Sequence, residues 1–396
     1  MTAPTDEHVR PIAGRHFADP GDGPSRRWMT VFSLLLVTVL VAATVLTYVG
    51  VQTVRTSRAG RSVSTVTDPA LPGFEAFLEP TPTLLIVHSS GTTLVSAAVL
   101  ALNSGDVGGS VLLIPPATRL GPDENAFTLG AVSAFGGSTE AILPGLQSLL
   151  RIGITDVAVV DDARWAELVA PVAPIAIQNP DTVGAFPAGP LSLEAEQVGP
   201  YLAARADGES DLARLYRQQL FFEAWADAVA ASPDPAAVPG EVESGIGRFV
   251  RGLASGSHRI ATLPVVETPT ADGTRLDVDA DATNVLVSAL VPFPTAGRPG
   301  GRVRVRLLDG SGDPDHVLTA APLIVPAGSE IVVVGNADSF GYATTEIRYH
   351  HPTMKTAAQE LRDALGVGRV VDDPRPTDAF DVTIVLGPDL QERSTG

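Results

Sequence analysis

The sequence contains no cysteine and a single lysine, Lys355. Without cysteine the chain has no disulfide, thiolate nucleophile or thiolate metal ligand, which excludes a small secreted domain held together by disulfides. Its 45 acidic residues outnumber its 27 basic ones, so the formal net charge is −18. No basic patch stands out against this charge, which excludes a nucleic-acid-binding protein. The scarcity of lysine and the abundance of Ala, Gly, Pro and Val are typical of a GC-rich bacterial genome.

Charged residues are also missing from a long stretch near the start, residues 28–54. Within it, Trp28–Val51 is predominantly apolar and without proline, and would form a helix of about 36 Å, enough to cross about 30 Å of hydrocarbon. Trp28 and Tyr48 stand near its two ends, where aromatic rings favour the membrane interfaces. The run is longer than the apolar core of a signal peptide, so we predict an uncleaved transmembrane signal anchor at 28–51.

The rest of the chain divides around this predicted span. Residues 1–27 are rich in Pro, Gly and Asp and cannot bury a core, so we predict a disordered cytoplasmic tail. Residues 52–82 are polar and contain four prolines, which predicts a stalk. Arginines flank the span on both sides, so the size of the portion after it favours export. We therefore expect a single-pass protein of the plasma membrane, with its N-terminus cytoplasmic and its bulk extracytoplasmic.

Strands and helices alternate from Thr83 to Pro292, which predicts an α/β (α+β layered) domain with a central sheet covered by helices. The segment Leu94–Leu102 is apolar throughout and fits either a strand or a helix. Strands are predicted at Thr83–Val87, Val111–Ile114, Thr155–Val160, Ala173–Ile177 and Arg259–Val266. Helices are predicted at 138–151 (N-cap Ser138, with a kink at Pro144), 162–169, 193–205, 212–230, 243–253 and after a cap at Asp279 or Asp281.

A second, smaller α/β domain is predicted at 302–389. It follows the clearest linker of the exported part, PFPTAGRPGG, which leaves residues 293–301 between the two domains. Strands are predicted at 302–308, 330–334 and 382–386, a helix at 357–365, and a tail at 390–396. The three histidines His316, His350 and His351 are predicted to be surface residues, since neighbouring strand positions point to opposite faces and do not readily share one metal ion.

The predicted helix 212–230 has two faces. Arg214, Arg217 and Gln218 occur at i, i+3 and i+4 on one side of it, and Arg205 lies just upstream. Arginine presents a planar fork of donors, so this set suits a phosphate or pyrophosphate. From spacing alone, ordinary surface arginines paired with acids such as Asp211 are the more frequent explanation. The buried face is predicted from apolar spacing as Leu212, Leu215, Tyr216, Phe222, Trp225 and Val229.

Three stretches between Thr83 and Pro292 resemble the LytR-CpsA-Psr family. They are LLIPPATRL, AVSAFGGSTEAILPGLQSLLRIGITDVAVVDDARWAELV and GPLSLEAEQVGPYLAARADGESDLARLYRQQLFFEAWADAV. Independently, RVRVRLLDGSG, VVVGNADSFGYATTEIRYHHP, KTAAQELRDALGVGRVV and DVTIVLGPDL resemble the LytR C-terminal domain that often accompanies that family. The second resemblance is the more specific, particularly in GNADSF and VTIVLG.

The first resemblance implies a membrane-tethered transferase that moves glycopolymers from polyprenyl-pyrophosphate lipids onto peptidoglycan. It implies a magnesium ion held by carboxylates beside an arginine-lined pyrophosphate pocket, and a lipid tail in an apolar tunnel under the sheet. On the matching positions, Arg205 corresponds to the second arginine of a paired-arginine motif. Arg214, Arg217 and Gln218 correspond to a later motif, so these four residues are the implied ligand-binding set.

The sequence departs from the family pattern where the metal and pyrophosphate are expected to bind. Ala203 replaces the first arginine of the pair, and Pro116-Ala117 stands in place of an Arg-Asp. No carboxylate occurs between His88 and Asn103, where a metal-binding Asp is expected. Since Mg²⁺ is usually held by one or two carboxylates, we predict no metal site and no cofactor.

Three residues are candidates to replace what is missing. Arg119 lies two positions past Ala117, and Asp106 or Asp123 would supply a carboxylate. The leading hypothesis is a degenerate, non-catalytic domain that binds a polyprenyl-phosphate lipid or a cell-wall glycopolymer, with 302–389 available for protein partners. The alternatives are an active, Mg-dependent phosphotransferase with relocated ligands, and a structural scaffold for wall assembly that binds no lipid.

Overall fold

The computed structural model describes residues 66–394 apart from 92, 122–125, 137–140, 233–244, 271–272 and 376. They all belong to one compact unit, Val63–Gly396; a second unit, Met1–Ser62, lies outside the described residues. The predicted tail 1–27 and membrane span 28–51 therefore also lie outside them. None of the helices in the described ranges combines the length and the apolar character that a bilayer span needs.

The described residues form a mixed α/β structure. The strands are β1 (Glu75–Phe77), β2 (Thr83–Ser90), β3 (Thr93–Leu102), β4 (Gly109–Ile114), β5 (Asp156–Val160), β6 (Ile175–Asn179), β7 (Gly189–Leu193), β8 (His258–Thr262), β9 (Val265–Thr270), β10 (Gly273–Val278), β11 (Val303–Asp309), β12 (Ser329–Asn336), β13 (Glu346–Tyr349), β14 (Arg369–Asp372) and β15 (Val382–Leu386). The helices are α1 (Leu129–Gly136), α2 (Leu143–Leu150), α3 (Asp162–Val169), α4 (Ala195–Ala203), α5 (Asp211–Ala231), α6 (Gly245–Ala254), α7 (Ala280–Leu290), α8 (Asp315–Ile324), α9 (Lys355–Leu365) and α10 (Asp389–Ser394).

The first part is built on a mixed five-stranded sheet with strand order β5-β2-β3-β4-β8. Strands β2, β3 and β4 are antiparallel neighbours, whereas β5 and β8 run parallel to β2 and β4. The apolar segment that fitted a strand or a helix is strand β3, paired on both sides. Both faces of the sheet are buried: Leu84 and Ile86 belong to one core, Leu85 and Val87 to the other. This explains why these strands are apolar throughout and do not alternate.

Helices α3, α4, α5 and α6 contribute the core residues on one face of this sheet, and α1, α2 and α7 those on the other.

The predicted cap at Asp279 is confirmed, since its side chain accepts a hydrogen bond from the Ala282 N–H. Pro144 was expected to cost a hydrogen bond or to force a kink; this is wrong, because Pro144 lies in the first turn of α2, where no N–H is needed. The expected cap Ser138 lies outside the described residues. The strands expected about 259–266 are β8 and β9.

The buried face of α5 differs in part from the predicted one. Leu215, Phe222, Trp225 and Val229 are buried as expected. Tyr216, however, is 53% exposed, and Phe221, which the pattern left out, is fully buried. The helix is in contact with a wide surface formed by several elements, so its buried stripe is broader and rotated from the one that spacing alone selects.

The second part contains a six-stranded sheet with strand order β1-β12-β11-β15-β13-β14. Its edge strand β1 comes from the predicted stalk and pairs antiparallel with β12. An ion pair joins Glu75 to Arg306, and the Asn336 side chain donates to the carbonyls of Pro69 and Leu71, both at 2.8 Å. The stalk prediction is therefore wrong for residues 66–78, which are part of the folded domain and do not form a free spacer.

Two other expectations for this part change. The predicted tail 390–396 begins inside α10, and Leu390 is buried in the core. His316 and His350 are not surface residues. Their rings are hydrogen-bonded to Ser311 Oγ at 2.7 Å and to Thr383 Oγ1 at 2.9 Å, and only His351 is exposed as expected.

The predicted linker has no regular structure, but hydrogen bonds near its start hold it to other parts of the chain. The Gly153 N–H donates to the Thr295 carbonyl at 2.7 Å, and the Ala296 N–H donates to Glu330 Oε2 at 2.9 Å. Immediately after it, Arg302 is buried and donates to the Arg151 carbonyl at 2.6 Å. These contacts tie the segment to residues of both sheet domains.

Candidate functional site

The candidate site is organised around Asp211, the first residue of α5. The helix starts there because the Ser210 hydroxyl accepts the Ala213 N–H as its N-cap. Asp211 Oδ1 lies 3.1 Å from the guanidinium of Arg214, one turn along the helix, and 3.2 Å from that of Arg205. Asp211 and Arg214 are buried, whereas the Arg205 side chain is 52% exposed. One buried carboxylate is thus shared by two guanidiniums.

The loop after β4 completes this group with its main chain. The Ala117 N–H donates to Asp211 Oδ2 at 3.0 Å. This is the loop in which the family resemblance expects an Arg-Asp and the sequence has Pro116-Ala117. The loop therefore reaches the site, but it brings an amide instead of charged side chains.

Arg217 and Gln218 lie one turn further along α5, and their side chains are hydrogen-bonded to other residues of the same chain. Arg217 forms an ion pair with Glu209 and donates to the Ala204 carbonyl at 2.6 Å. Gln218 Nε2 donates to the Leu202 carbonyl at 3.1 Å. Both side chains are almost completely buried. Their donors therefore connect α5 to the C-terminal end of α4, because the last carbonyls of a helix have no partner within the helix.

Arg119 is engaged elsewhere, with Asp277 of β10 at 2.8 Å. Asp106 forms a two-pronged ion pair with Arg248, at 2.8 and 3.0 Å. Asp106 precedes β4 and Ala117 follows it, so the two lie at opposite ends of a six-residue strand, about 20 Å apart. Asp106 therefore cannot supply a carboxylate beside Arg214. The other candidate, Asp123, lies outside the described residues.

Sequence reasoning missed His88, which lies next to the site. It ends the buried part of β2, and its Nε2 lies 3.3 Å from Asp162 Oδ1 in the first turn of α3. Its ring meets the edge of Trp165 with centroids 5.9 Å apart. Burial lowers the pKa of His88; the hydrogen bond to Asp162 opposes this shift, and the charge of Arg214 adds to it. The available signal was a lone histidine at the end of an apolar strand, where the resemblance expected a carboxylate.

The electrostatic balance of the site favours an anion over a cation. Two guanidiniums around one carboxylate leave a net positive charge, and the exposed side of Arg205 is open to solvent. In the described ranges, no group of three or more His, Asp and Glu side chains is placed to hold a metal ion. Asp211 is already engaged by both arginines and the Ala117 N–H, so the described residues around it do not fit the magnesium ion that the resemblance implies.

Aromatic rings fill the layer between the middle of α5 and the sheet. Trp165 lies edge-on to Phe221 and to Trp225, with ring centroids 5.6 and 5.5 Å apart, and Phe221 stacks on Trp225. Each of these rings is at most 2% exposed. They pack with the sheet residues of the same core cluster. The apolar space between α5 and the sheet, two to three turns along the helix from Arg214, is therefore occupied by the protein's own side chains.

Lowering the pH below about 6.5 is expected to destabilise the chain in part through His88. The pKa of His88 in the folded chain is below its ordinary value of 6.5, so the unfolded chain binds the proton more readily. The free energy of unfolding therefore falls as the pH falls through that value. His88→Gln is expected to make this dependence shallower, measured by urea denaturation between about pH 7 and 5. Exposed His351→Gln is the control, and identical slopes for wild type and His88→Gln would contradict the expectation.

Comparison with known proteins identifies the C-terminal part most directly. Residues 302–390 match the LytR_C family model, described as "LytR cell envelope-related transcriptional attenuator". This match confirms the resemblance of 302–389 to the LytR C-terminal domain. No curated protein matches the sequence significantly.

Solved structures similar to the chain include TagV of B. subtilis, with 17% identity, a TM-score of 0.45 and coverage of 54% of this chain and 96% of that one. A LytR-Csp2A-Psr enzyme from Actinomyces oris has 13% identity and a TM-score of 0.42, covering 55% and 94%. TagT (YwtF), described as a LytR-CPS2A-psr family protein with bound octaprenyl pyrophosphate lipid, has 13% identity and a TM-score of 0.42, covering 58% and 94%. The family that the sequence resembles over 83–292 is thus named in two of these descriptions.

Proposed function

We propose that the chain is a membrane-anchored cell-envelope protein that binds a polyprenyl-phosphate lipid or a phosphate-bearing wall polymer without transferring it. The cell-envelope assignment is supported by the LytR_C match over residues 302–390. Binding is assigned to Arg205 and Arg214. Arg217 and Gln218, which the resemblance also implies, support the site from below.

The observation that carries the proposal is the sharing of Asp211 by two guanidiniums, at 3.1 and 3.2 Å. Asp211 fixes Arg214 and steadies Arg205 but neutralises only one of the two charges. Arg205 also donates to the Glu209 carbonyl, at 3.0 and 3.1 Å, which holds its fork in place while half of the side chain faces solvent. A preorganised, partly exposed guanidinium is well suited to a phosphate oxygen.

The same geometry argues against catalysis. Departure of a pyrophosphate needs its growing negative charge to be stabilised, which a carboxylate-held Mg²⁺ or additional arginines would do. Among the described residues, Asp211 is the carboxylate that lies between Arg205 and Arg214, and its two oxygens already accept from these arginines and from the Ala117 N–H. Replacing these partners with a metal ion would leave buried Arg214 without its counter-charge.

A structural scaffold that binds no lipid is the second candidate, and the aromatic layer favours it. A polyprenyl chain entering below Arg214 would have to displace Phe221, Trp165 and Trp225, which pack against each other and the sheet. A ligand that presents only its phosphate at the surface avoids this displacement. The two candidates therefore differ in whether any phosphate-bearing lipid binds.

The test uses the full-length chain in detergent micelles with a polyprenyl pyrophosphate and Mg²⁺, following lipid binding and phosphate release in the same samples. We expect binding without release. Arg205→Gln is expected to weaken binding about tenfold, because a charge-assisted hydrogen bond contributes about 1.5–3 kcal/mol. Arg259→Gln removes an equal charge from an exposed position on β8 and is expected to change nothing.

The outcomes separate the hypotheses. Phosphate release that Arg205→Gln abolishes would establish the transferase alternative, in which a carboxylate outside the described residues, such as Asp123, supplies the metal ligand. No binding by the wild-type chain would leave the scaffold. Equal losses in Arg205→Gln and Arg259→Gln would mean that only net charge matters, and that Asp211 and its two arginines are not a binding site.

A further inference from the structure

A second cationic cavity lies away from Asp211, between α2 and the segment 297–301. Its volume is about 470 Å³, within the range of about 300–1,000 Å³ typical of small-molecule sites. One wall is α2, with Ser148 and Arg151 one turn apart; the other wall is the glycine-rich segment carrying Arg298. Its lining residues include no carboxylate, although the chain as a whole has many more acids than bases.

The two walls are held in place by close main-chain contacts. A Cβ added at Gly297 would lie 2.7 Å from the Ile152 carbonyl, and one added at Gly153 would lie 2.3 Å from Thr295 Oγ1. Only glycine permits this approach, so the segment is anchored beside the end of α2. Away from these contacts the two walls diverge, and the space between them is the cavity.

Its two arginines have no acidic partner in the part of the chain that the structure describes. Neither Arg151 nor Arg298 forms an ion pair with any described residue, and both are exposed. Arg151 ends α2 in the left-handed conformation, with φ of 54°, which costs a non-glycine residue about 1 kcal/mol or more. A Cβ at Gly328 would lie 2.6 Å from Arg151 Nη2, so the guanidinium rests over that glycine.

A third arginine lies behind them. Arg302 is 7% exposed and donates to three main-chain carbonyls: those of Arg151, Val325 and Ser329. Burial first, and then the charge of Arg151, lower the pKa of Arg302 to about 10, with Glu330 opposing them. Three positive charges, opposed in part by Glu330, leave this corner with an excess of positive charge. An anion in the cavity would relieve the repulsion.

We propose that this cavity binds the phosphate group of a sugar phosphate, either free or as one unit of a phosphate-linked glycopolymer. Arg151 and Arg298 hold the phosphate oxygens from the two walls, which suits the donor geometry of guanidinium. The cavity is larger than a single phosphate requires, and Ser148 and the main chain of the glycine segment offer hydrogen-bonding groups for sugar hydroxyls. This site is separate from Arg205 and Arg214 and does not depend on their role.

The test measures binding to the full-length chain in micelles by isothermal titration calorimetry, using glucose 1-phosphate, inorganic phosphate and uncharged glucose as probes. Glucose 1-phosphate is expected to bind, and more tightly than inorganic phosphate; glucose is expected not to bind. Arg298→Gln is expected to weaken glucose 1-phosphate binding about tenfold. Arg259→Gln is expected to leave this binding unchanged, and the titration is repeated on the Arg205→Gln chain so that phosphate bound beside Asp211 is not counted.

Arg151→Gly is a second variant, and it is expected to stay folded. Glycine suits the left-handed conformation and keeps the carbonyl that Arg302 uses, so the melting temperature is expected to stay equal or rise. Binding of glucose 1-phosphate is nevertheless expected to fall about tenfold.

Three results would overturn the proposal. They are no binding of glucose 1-phosphate by the wild-type chain, undiminished binding by Arg298→Gln, and equal losses in Arg298→Gln and Arg259→Gln. Loss of binding in Arg205→Gln alone would assign the sugar phosphate to the site around Asp211 instead. Failure of polyprenyl-lipid binding leaves this result untouched, because the probes carry no lipid chain.

Discussion

Replacing Arg217 with Ala is expected to lower the free energy of unfolding by about 3–5 kcal/mol, because it leaves a buried carboxylate without its partner. Arg217 is almost fully buried, pairs with Glu209 and binds the Ala204 carbonyl at 2.6 Å. The resemblance alone predicts a different result, a stable protein that has lost a ligand contact. Urea denaturation of the full-length chain in micelles, followed by tryptophan fluorescence, distinguishes the two.

Arg205→Ala is the matched control, since Arg205 lies in the same site but is 52% exposed. Its cost is expected to be within about 1 kcal/mol, the range of exposed ion pairs. Glu209→Gln should be destabilising like Arg217→Ala, and combining the two should cost less than the sum of the single changes, because the pair is lost only once. A loss below about 1 kcal/mol for Arg217→Ala would return this arginine to the ligand-binding set.

The sequence placed Arg214, Arg217 and Gln218 correctly on one side of α5, because helical spacing is a local property. It did not reveal what they contact. The partner of Arg217 lies in the turn before the helix, and Gln218 binds the end of α4; both depend on how the chain folds back between the two helices. Whether an arginine faces solvent or its own backbone is therefore decided by tertiary packing, which spacing does not report.

The alternation of strands and helices, and most element positions, could be read from apolar runs and caps. The error at the stalk has a physical cause. Strand β1 is three residues long and pairs with residues 333–335, so no local pattern indicates it. His350 was misjudged for a similar reason, since Thr383, whose hydroxyl is hydrogen-bonded to its ring, lies on a strand 33 residues further along the chain.

The candidate site was predicted in part. The absence of a carboxylate after His88 is a property of the sequence and indicates where metal ligands are lacking. That Asp211 would bring Arg205 and Arg214 together, and that the Ala117 N–H would meet it, required the loop after β4 to lie against the start of α5. Long-range contacts of this kind have no counterpart in the spacing of residues along the chain.

Phe221→Ala is expected to cost about 3–5 kcal/mol of unfolding free energy, the usual loss when a buried aromatic side chain leaves a cavity. The ring is fully buried, lies edge-on to Trp165 at 5.6 Å and stacks on Trp225 at 5.9 Å. Tyr216→Ala, on the same helix, is the control: its side chain is 53% exposed, and its loss is expected to change stability by at most about 0.5 kcal/mol. Helical spacing predicts the reverse order, with Tyr216 the buried residue.

The comparison of Phe221→Ala with Tyr216→Ala also measures how tightly the aromatic layer between α5 and the sheet is packed. A cost near zero for Phe221→Ala would mean that the layer yields easily, and a polyprenyl chain would then enter it at little cost. A cost of several kcal/mol would mean that the layer resists such entry, which confines any bound phosphate to the surface beside Arg205.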